Sequence, residues 1–250
     1  MDGVIWKADT PIGNLVSVFD CIRAHGLKVA FATNNGTLTP EQYVERLAGY
    51  GVMVEPWQVV TSSLGVAHLL SQRFPSGGPV LAIGEAGMMI ALREQGFEPL
   101  ALEEIEKAQA VIMGVDWGIT FAKMSEAALL VRKGVPFYAT NPDKTFPTPR
   151  GEIPGAGAWI SVIVTATGIQ PIYAGKPAPY LLELARERLG TARGETLIVG
   201  DRLETDIAGG QAAGCPVALV LSGVSSRDQG EQWKPKVDII AEDLFALVEI

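Results

Sequence analysis

Short apolar runs without polar alternation recur along the chain, and amphipathic stretches lie between them. Leu15, Val18, Phe19 and Ile22 fall on one helical face, and Gly26 stands where the C′ glycine of that helix belongs. "KVAFATNN" then reads as a buried strand that ends in polar residues. Thr39, Pro40 and Gln42 follow as N-cap, first helical residue and N3, a capping-box pattern whose helix ends near Gly51. The runs "PVLAIG", "AVIMGV", "PFYAT", "PIYAG", "TLIVGD" and "PVALVL" read as further strands, separated by helices that end in glycine at 96, 134, 168, 190 and 214. Strands rich in Val, Ile and Leu with no polar face predict a parallel sheet covered on both sides. Repeated strand–helix–strand units predict a doubly wound, Rossmann-like α/β fold.

Four strand ends carry polar residues of another kind: "DG" at 2–3, "TNN" at 33–35, "GK" at 175–176 and "GDRLETD" at 200–206. Ligands of open α/β sheets bind beyond the carboxyl ends of strands, so these four places are expected to serve one pocket. Residues 78–171 interrupt the series and have their own strand–helix alternation. They are therefore expected to be an inserted α/β domain, with 1–77 and 172–250 forming the core domain.

Composition narrows the class. The chain has 250 residues, 48% hydrophobic and 19% charged, enough to bury a substantial core. A formal net charge of −8 argues against nucleic acid and anionic membrane as partners. No apolar run reaches the roughly 18 residues of a membrane span, and no basic segment precedes an apolar stretch as in a signal peptide. Cys21 and Cys215 show no metal-ligand spacing and read as reduced thiols of a cytoplasmic protein. His25 and His68 fall on helices away from the polar strand ends and read as non-catalytic.

In "LIVGDRLETD", Asp201 and Asp206 place two carboxylates just past a strand end, a donor pair for a hard cation such as Mg²⁺, although both residue types also serve in turns and caps. Thr33 and Asn34 offer a hydroxyl and nearby N–H groups to a phosphate oxygen, and are equally ordinary turn residues. The ammonium of Lys176 can offset phosphate charge or remain solvated. Asn141-Pro142-Asp143 reads as a turn or as a loop that reaches the site. Trp117 and Trp159 read as core packing or as pocket lining.

In this order the four segments resemble the haloacid dehalogenase (HAD) superfamily of phosphohydrolases, with its D-x-D-G, Thr/Ser, Lys and G-D-x-x-x-T/S-D motifs. "TNNGTLTPEQYVERLAGYGV", "GVDWGITFAKMSEAALLV" and "TNPDKTFPTPRGEIPGAGAWISVIVTATG" are similar to its NagD-like, class IIA branch, in which the insert is a cap domain. The resemblance implies a Mg²⁺-dependent phosphatase for small phosphate monoesters: phosphosugars, phosphoglycolate, nucleotides or p-nitrophenyl phosphate. It implies Asp2 as general acid/base with its backbone carbonyl on Mg²⁺, Asp201 as metal ligand, and Asp206 holding the metal's water shell or orienting Lys176. It further implies Thr33 and Asn34 on the phosphoryl group, Asn35 near the substrate, and Lys176 beside the nucleophile. Dimer contacts through the cap are a further expectation of this branch.

"MDGVIW" matches D-x-D-G without its first letter, so the nucleophilic aspartate and the strand that carries it are expected just upstream of Met1. The alternatives at this stage are a non-catalytic relative that binds a phosphorylated metabolite and an inactive, N-terminally shortened form.

Overall fold

The computed structural model describes residues 1–148 and 150–249. Pro149, within the segment that resembles the end of the cap, and Ile250, the last residue assigned to the core, lie outside the described residues. The chain forms two compact units. One comprises Met1–Ala32, Pro40–Val60 and the residues from Lys176 onward; the other comprises Thr33–Thr39 and Thr61–Gly175. The strands Phe31–Thr33 and Val59–Thr61 pair with each other, and the chain passes from one unit to the other within them.

The second unit holds a five-stranded sheet, ordered 172–173, 137–139, 111–113, 78–83, 97–99, with every pairing parallel. Successive side chains of a strand point to opposite faces, and here both faces are covered. Leu81, Ile83, Val111, Met113 and Phe137 enter a core with Leu130 of the Phe121–Arg132 helix and with Ile160 and Ile163 of the Ala156–Thr167 helix. Val80, Ile112 and Tyr138 enter a second core with Val66 and Leu70 of the Ser62–Arg73 helix and Ala91 and Leu92 of the Ala86–Glu94 helix. This is the doubly covered parallel sheet expected from the apolar runs. The Ser62–Arg73 helix packs with the inserted unit, whose main span, Thr61–Gly175, is longer at both ends than the 78–171 read from the sequence and is joined by Thr33–Thr39. A hairpin of Thr145–Thr148 with Gly151–Pro154 was not anticipated.

The first unit holds a parallel three-stranded sheet of Ile198–Gly200, Val217–Val220 and Ile239–Ala241. Val217 and Leu219 pack with Leu203, Ile207 and Val237, while Leu182, Ala213 and Cys215 form a smaller cluster. Helix signals were legible: Pro40 is the first residue of the Pro40–Gly49 helix, and the helices ending before Gly168 and Gly190 close in left-handed glycine caps. Cys21 and Cys215 are both free thiols. Among the described residues no helix is long and apolar enough to cross a membrane.

Candidate active site

In the first unit, the expected catalytic residues cluster about the start of the chain. Gly3 takes a left-handed conformation with φ of 73°. Any side chain on Gly3 or Gly223 would run into the Asp201 carboxylate, so both backbones press against it. Asp201 follows the strand Ile198–Gly200 and is buried, 6% exposed. Its Oδ2 accepts from the Val224 N–H at 3.0 Å, its backbone carbonyl accepts from Ser225 N at 3.0 Å, and the Ser225 hydroxyl accepts from Leu203 N at 3.1 Å. Ser222 donates to the Gly3 carbonyl at 2.7 Å, which ties the loop after Val217–Val220 to the Asp2-Gly3 turn.

Asp206 lies in a single π-type turn, Leu203–Ile207, ahead of the short Ala208–Ala212 helix. It is not a side-chain cap of that helix: its Oδ2 accepts from Arg202 N at 3.2 Å, so the carboxylate closes the "DRLETD" loop on itself. Its Oδ1 accepts from Lys176 Nζ at 2.5 Å, and both residues of this pair are 7% exposed. Lys176 Nζ also reaches the Ala32 carbonyl at 3.4 Å, one residue before Thr33 in the chain.

The electrostatics of the two buried acids run in opposite directions. Burial and the nearby Asp206 charge push the Asp201 carboxyl above its usual range, outweighing the Met1 amine, the Val224 N–H and Lys176. For Asp206, burial pushes upward, but the charge and hydrogen bond of Lys176 and the Arg202 N–H overcome it and hold the carboxyl below its usual range. The Met1 amine lies in the same field, lowered by desolvation and Lys176 and raised by Asp206, Asp2 and Asp201.

The carboxylate of Asp2 is exposed, and its Oδ1 accepts from the Trp6 indole N–H at 2.9 Å. Sequence reasoning passed over Trp6; its spacing of four from Asp2 was the available signal.

In the second unit, the residues at 33–35 form a tight polar loop. Thr33 Oγ1 accepts from Asn35 N at 3.2 Å, and Asn35 Oδ1 accepts from Thr37 N and Oγ1 at 3.1 and 2.7 Å. The Asn34 carbonyl accepts from Ser62 Oγ at 2.5 Å and from Asn141 Nδ2 at 2.7 Å, while Asn34 Nδ2 donates to Asp143 Oδ2 at 3.0 Å. Asn141 Oδ1 in turn accepts from Asp143 N at 3.1 Å. Asn141-Pro142-Asp143 is therefore both a turn and a clamp on the 33–35 loop. The serines of "TSS" at 61–63, which the sequence reading did not single out, are part of the same fastening. Trp117 is exposed and stacks edge-on against Phe146, whereas Trp159 packs partly buried against the core. His25 and His68 bond within their own helices.

The donor chemistry fits a hard divalent cation in part. Two buried carboxylates of like charge face each other's field at Asp201 and Asp206, and a cation would relieve it. Both Asp206 oxygens already accept hydrogen bonds, so Asp201 is the better direct ligand and Asp206 suits the water shell. Among the described residues no three His, Cys, Asp or Glu side chains form a closed metal cage.

Comparison with known proteins gives this geometry a family. A haloacid dehalogenase-like hydrolase profile matches residues 1–98, and a HAD-hydrolase-like profile matches residues 173–247. The acid sugar phosphatase of Staphylococcus aureus is 36% identical over 226 residues, 90% of this chain and 86% of that protein. The p-nitrophenyl phosphatase from Archaeoglobus fulgidus superposes with a TM-score of 0.90 at 31% identity, covering 99% of this chain and 95% of that one. The glycerol phosphate phosphatase from Mycobacterium tuberculosis, solved in complex with magnesium, gives a TM-score of 0.91 at 34% identity over 99% of this chain and 74% of that one. NagD from Escherichia coli K-12 gives 0.89 at 31% identity over 98% and 94%. The chain belongs to the haloacid dehalogenase-like hydrolases and is a phosphoric monoester hydrolase of the HAD type.

Proposed function

We propose that this protein hydrolyses small phosphate monoesters, of the sugar phosphate, glycerol phosphate or p-nitrophenyl phosphate kind, with Mg²⁺ as cofactor. An aspartate joined ahead of Met1 is the nucleophile. The observation that carries this reading is the Asp201 carboxylate pressed between Gly3 and Gly223, with the Lys176–Asp206 pair in its field. A residue attached to the Met1 amine would enter the same cluster.

In this scheme a carboxylate oxygen of the upstream aspartate attacks phosphorus, the bond to the leaving oxygen breaks, and Asp2 gives that oxygen its proton. Asp2 then takes a proton from water, whose oxygen attacks the same phosphorus. The aspartyl–phosphate bond breaks, and inorganic phosphate and free carboxylate result. Lys176 offsets charge on nucleophile and phosphate while Asp206 orients it. Thr33 and Asn34 bind phosphoryl oxygens and Asn35 stands near the substrate. The fastening of the 33–35 loop by Ser62, Asn141 and Asp143 supports that assignment, because a bound oxyanion gains most from donors already held in place. Asp201 would hold Mg²⁺ with the Asp2 carbonyl, and Asp206 its water shell; the cation supplies charge neutralisation between carboxylates and a dianionic phosphate.

The test is phosphate release from p-nitrophenyl phosphate with and without MgCl₂, on this chain and on one extended upstream through an aspartate. The extended form is expected to turn over and to lose at least about 100-fold on Asp201→Ala. Turnover indifferent to both Asp201→Ala and EDTA would overturn the site and the cofactor together.

A further inference from the structure

Asp2 is exposed, and a carboxylate on a free side chain samples several rotamers. A general acid needs one of its oxygens held toward the leaving group. The ring beside it is anything but free. Trp6 is 0% exposed, the Arg46 guanidinium lies 4.2 Å over its face, and the Tyr50 ring stands 5.9 Å from it. Arg46 is itself held by the Ala8 carbonyl and by Asp9, and Tyr50 donates to the Asp9 carbonyl at 2.9 Å. Gly3 N donates to the Trp6 carbonyl at 2.8 Å, which folds the Asp2–Trp6 segment into one tight turn. The indole N–H therefore has a fixed direction, and Asp2 Oδ1 sits on it at 2.9 Å.

We infer that Trp6 is a positioning residue for Asp2: its N–H pins Oδ1, which leaves Oδ2 to carry the proton. The inference rests on the acid–base role proposed above for Asp2. A core tryptophan needs only its ring, and phenylalanine at 6 would keep most of the packing while removing the donor. The two roles separate by leaving group. p-Nitrophenolate departs without a proton, whereas an alkoxide needs one, and kcat/KM extends only to departure of the leaving group, so in that parameter loss of the donor should register on alkyl phosphates alone.

In the active enzyme, Trp6→Phe is expected to lower kcat/KM for glycerol 1-phosphate about tenfold and for p-nitrophenyl phosphate by less than about twofold, with little change in KM. An equal loss on both substrates would reduce Trp6 to a packing residue and overturn the inference. A second readout needs neither activity nor metal. In the nitrogen–proton spectrum of this chain, the indole signal of Trp6, one of five tryptophans, should move upfield in Asp2→Ala, a change at an exposed position. An unmoved signal overturns the contact itself. Hydrolysis of glycerol 1-phosphate by Asp2→Ala at the parent rate overturns the acid–base reading instead, whatever the indole signal does.

Discussion

Asp201 and Asp206 are five positions apart and have opposite claims on stability. Asp206 has its carboxyl held down by Lys176, so its ionised form stabilises the fold. That contribution is complete above the unfolded carboxylate pKa of about 4 and is lost as pH falls through the lower folded value. Asp201 is pushed up by burial and by Asp206, so its ionised form opposes folding at neutral pH, and the opposition fades as pH falls through the raised value. Asp206→Asn is therefore expected to cost about 3 kcal/mol, because it leaves Lys176 buried without its charge partner. Asp201→Asn is expected to raise the melting temperature of the metal-free protein by several degrees, at roughly 2–4 °C per kcal/mol for a chain of this size, since an amide oxygen still accepts from Val224 N. Thermal melts in EDTA at pH 7 check both; two shifts of the same sign would refute the opposition. The residue types of this cluster were legible from "GDRLETD" and "GK" only in combination, because each alone also serves in turns, caps or solvated surface. The bond from Trp6 to Asp2 was not, because a tryptophan's ring and its N–H serve different masters and the letters do not separate them.

For single elements, the strands carried the clearest signal. Runs such as "AVIMGV" lack alternation because Val111 and Met113 serve one core while Ile112 serves the other. Ile112→Ala should thus cost as much as a core truncation, about 2–5 kcal/mol, as read from the urea midpoint. The Thr145–Pro154 hairpin has no clear strand signal because the three prolines of its sequence, 147, 149 and 154, argue against a strand, yet edge positions tolerate proline. The turn at 116–118 escaped for a different reason: Asp116 is buried, its Oδ1 accepting from Gly118 N and its Oδ2 from Lys123 Nζ, both at 2.7 Å. Lys123 lies in the first turn of the Phe121–Arg132 helix, and a pairing seven residues apart across a turn has no simple sequence period. Asp116→Asn keeps an acceptor for the Gly118 N–H and loses the ion pair; Asp116→Ala loses both. The alanine variant should unfold at a urea concentration clearly below the asparagine variant, and equal midpoints would assign the whole contribution to the ion pair.

For the whole molecule, the partition was only partly legible. The start of an inserted strand–helix alternation near 78 is visible in the letters, but the Ser62–Arg73 helix joins that unit through contacts of Val66 and Leu70 with strands beyond it, and such long-range packing leaves no local mark. Net charge, by contrast, is read directly, and it has a kinetic consequence. The chain carries −8, and its buried lysine at 176 is already paired with Asp206 at 2.5 Å, so little positive field extends into solvent from that cluster. A dianionic phosphate ester approaching such a surface is repelled over distances comparable to the Debye length, which shortens from about 30 Å at 0.01 M salt to about 10 Å at 0.1 M. At fixed free Mg²⁺, kcat/KM for p-nitrophenyl phosphate is therefore expected to rise about twofold or more between low and physiological KCl, with kcat unchanged, because screening alters the encounter and not the bound state. A fall in kcat/KM over the same range would mean that a local cationic field, stronger than the net charge, governs approach; Lys176→Met would then lower kcat/KM most at low salt, where that field reaches furthest.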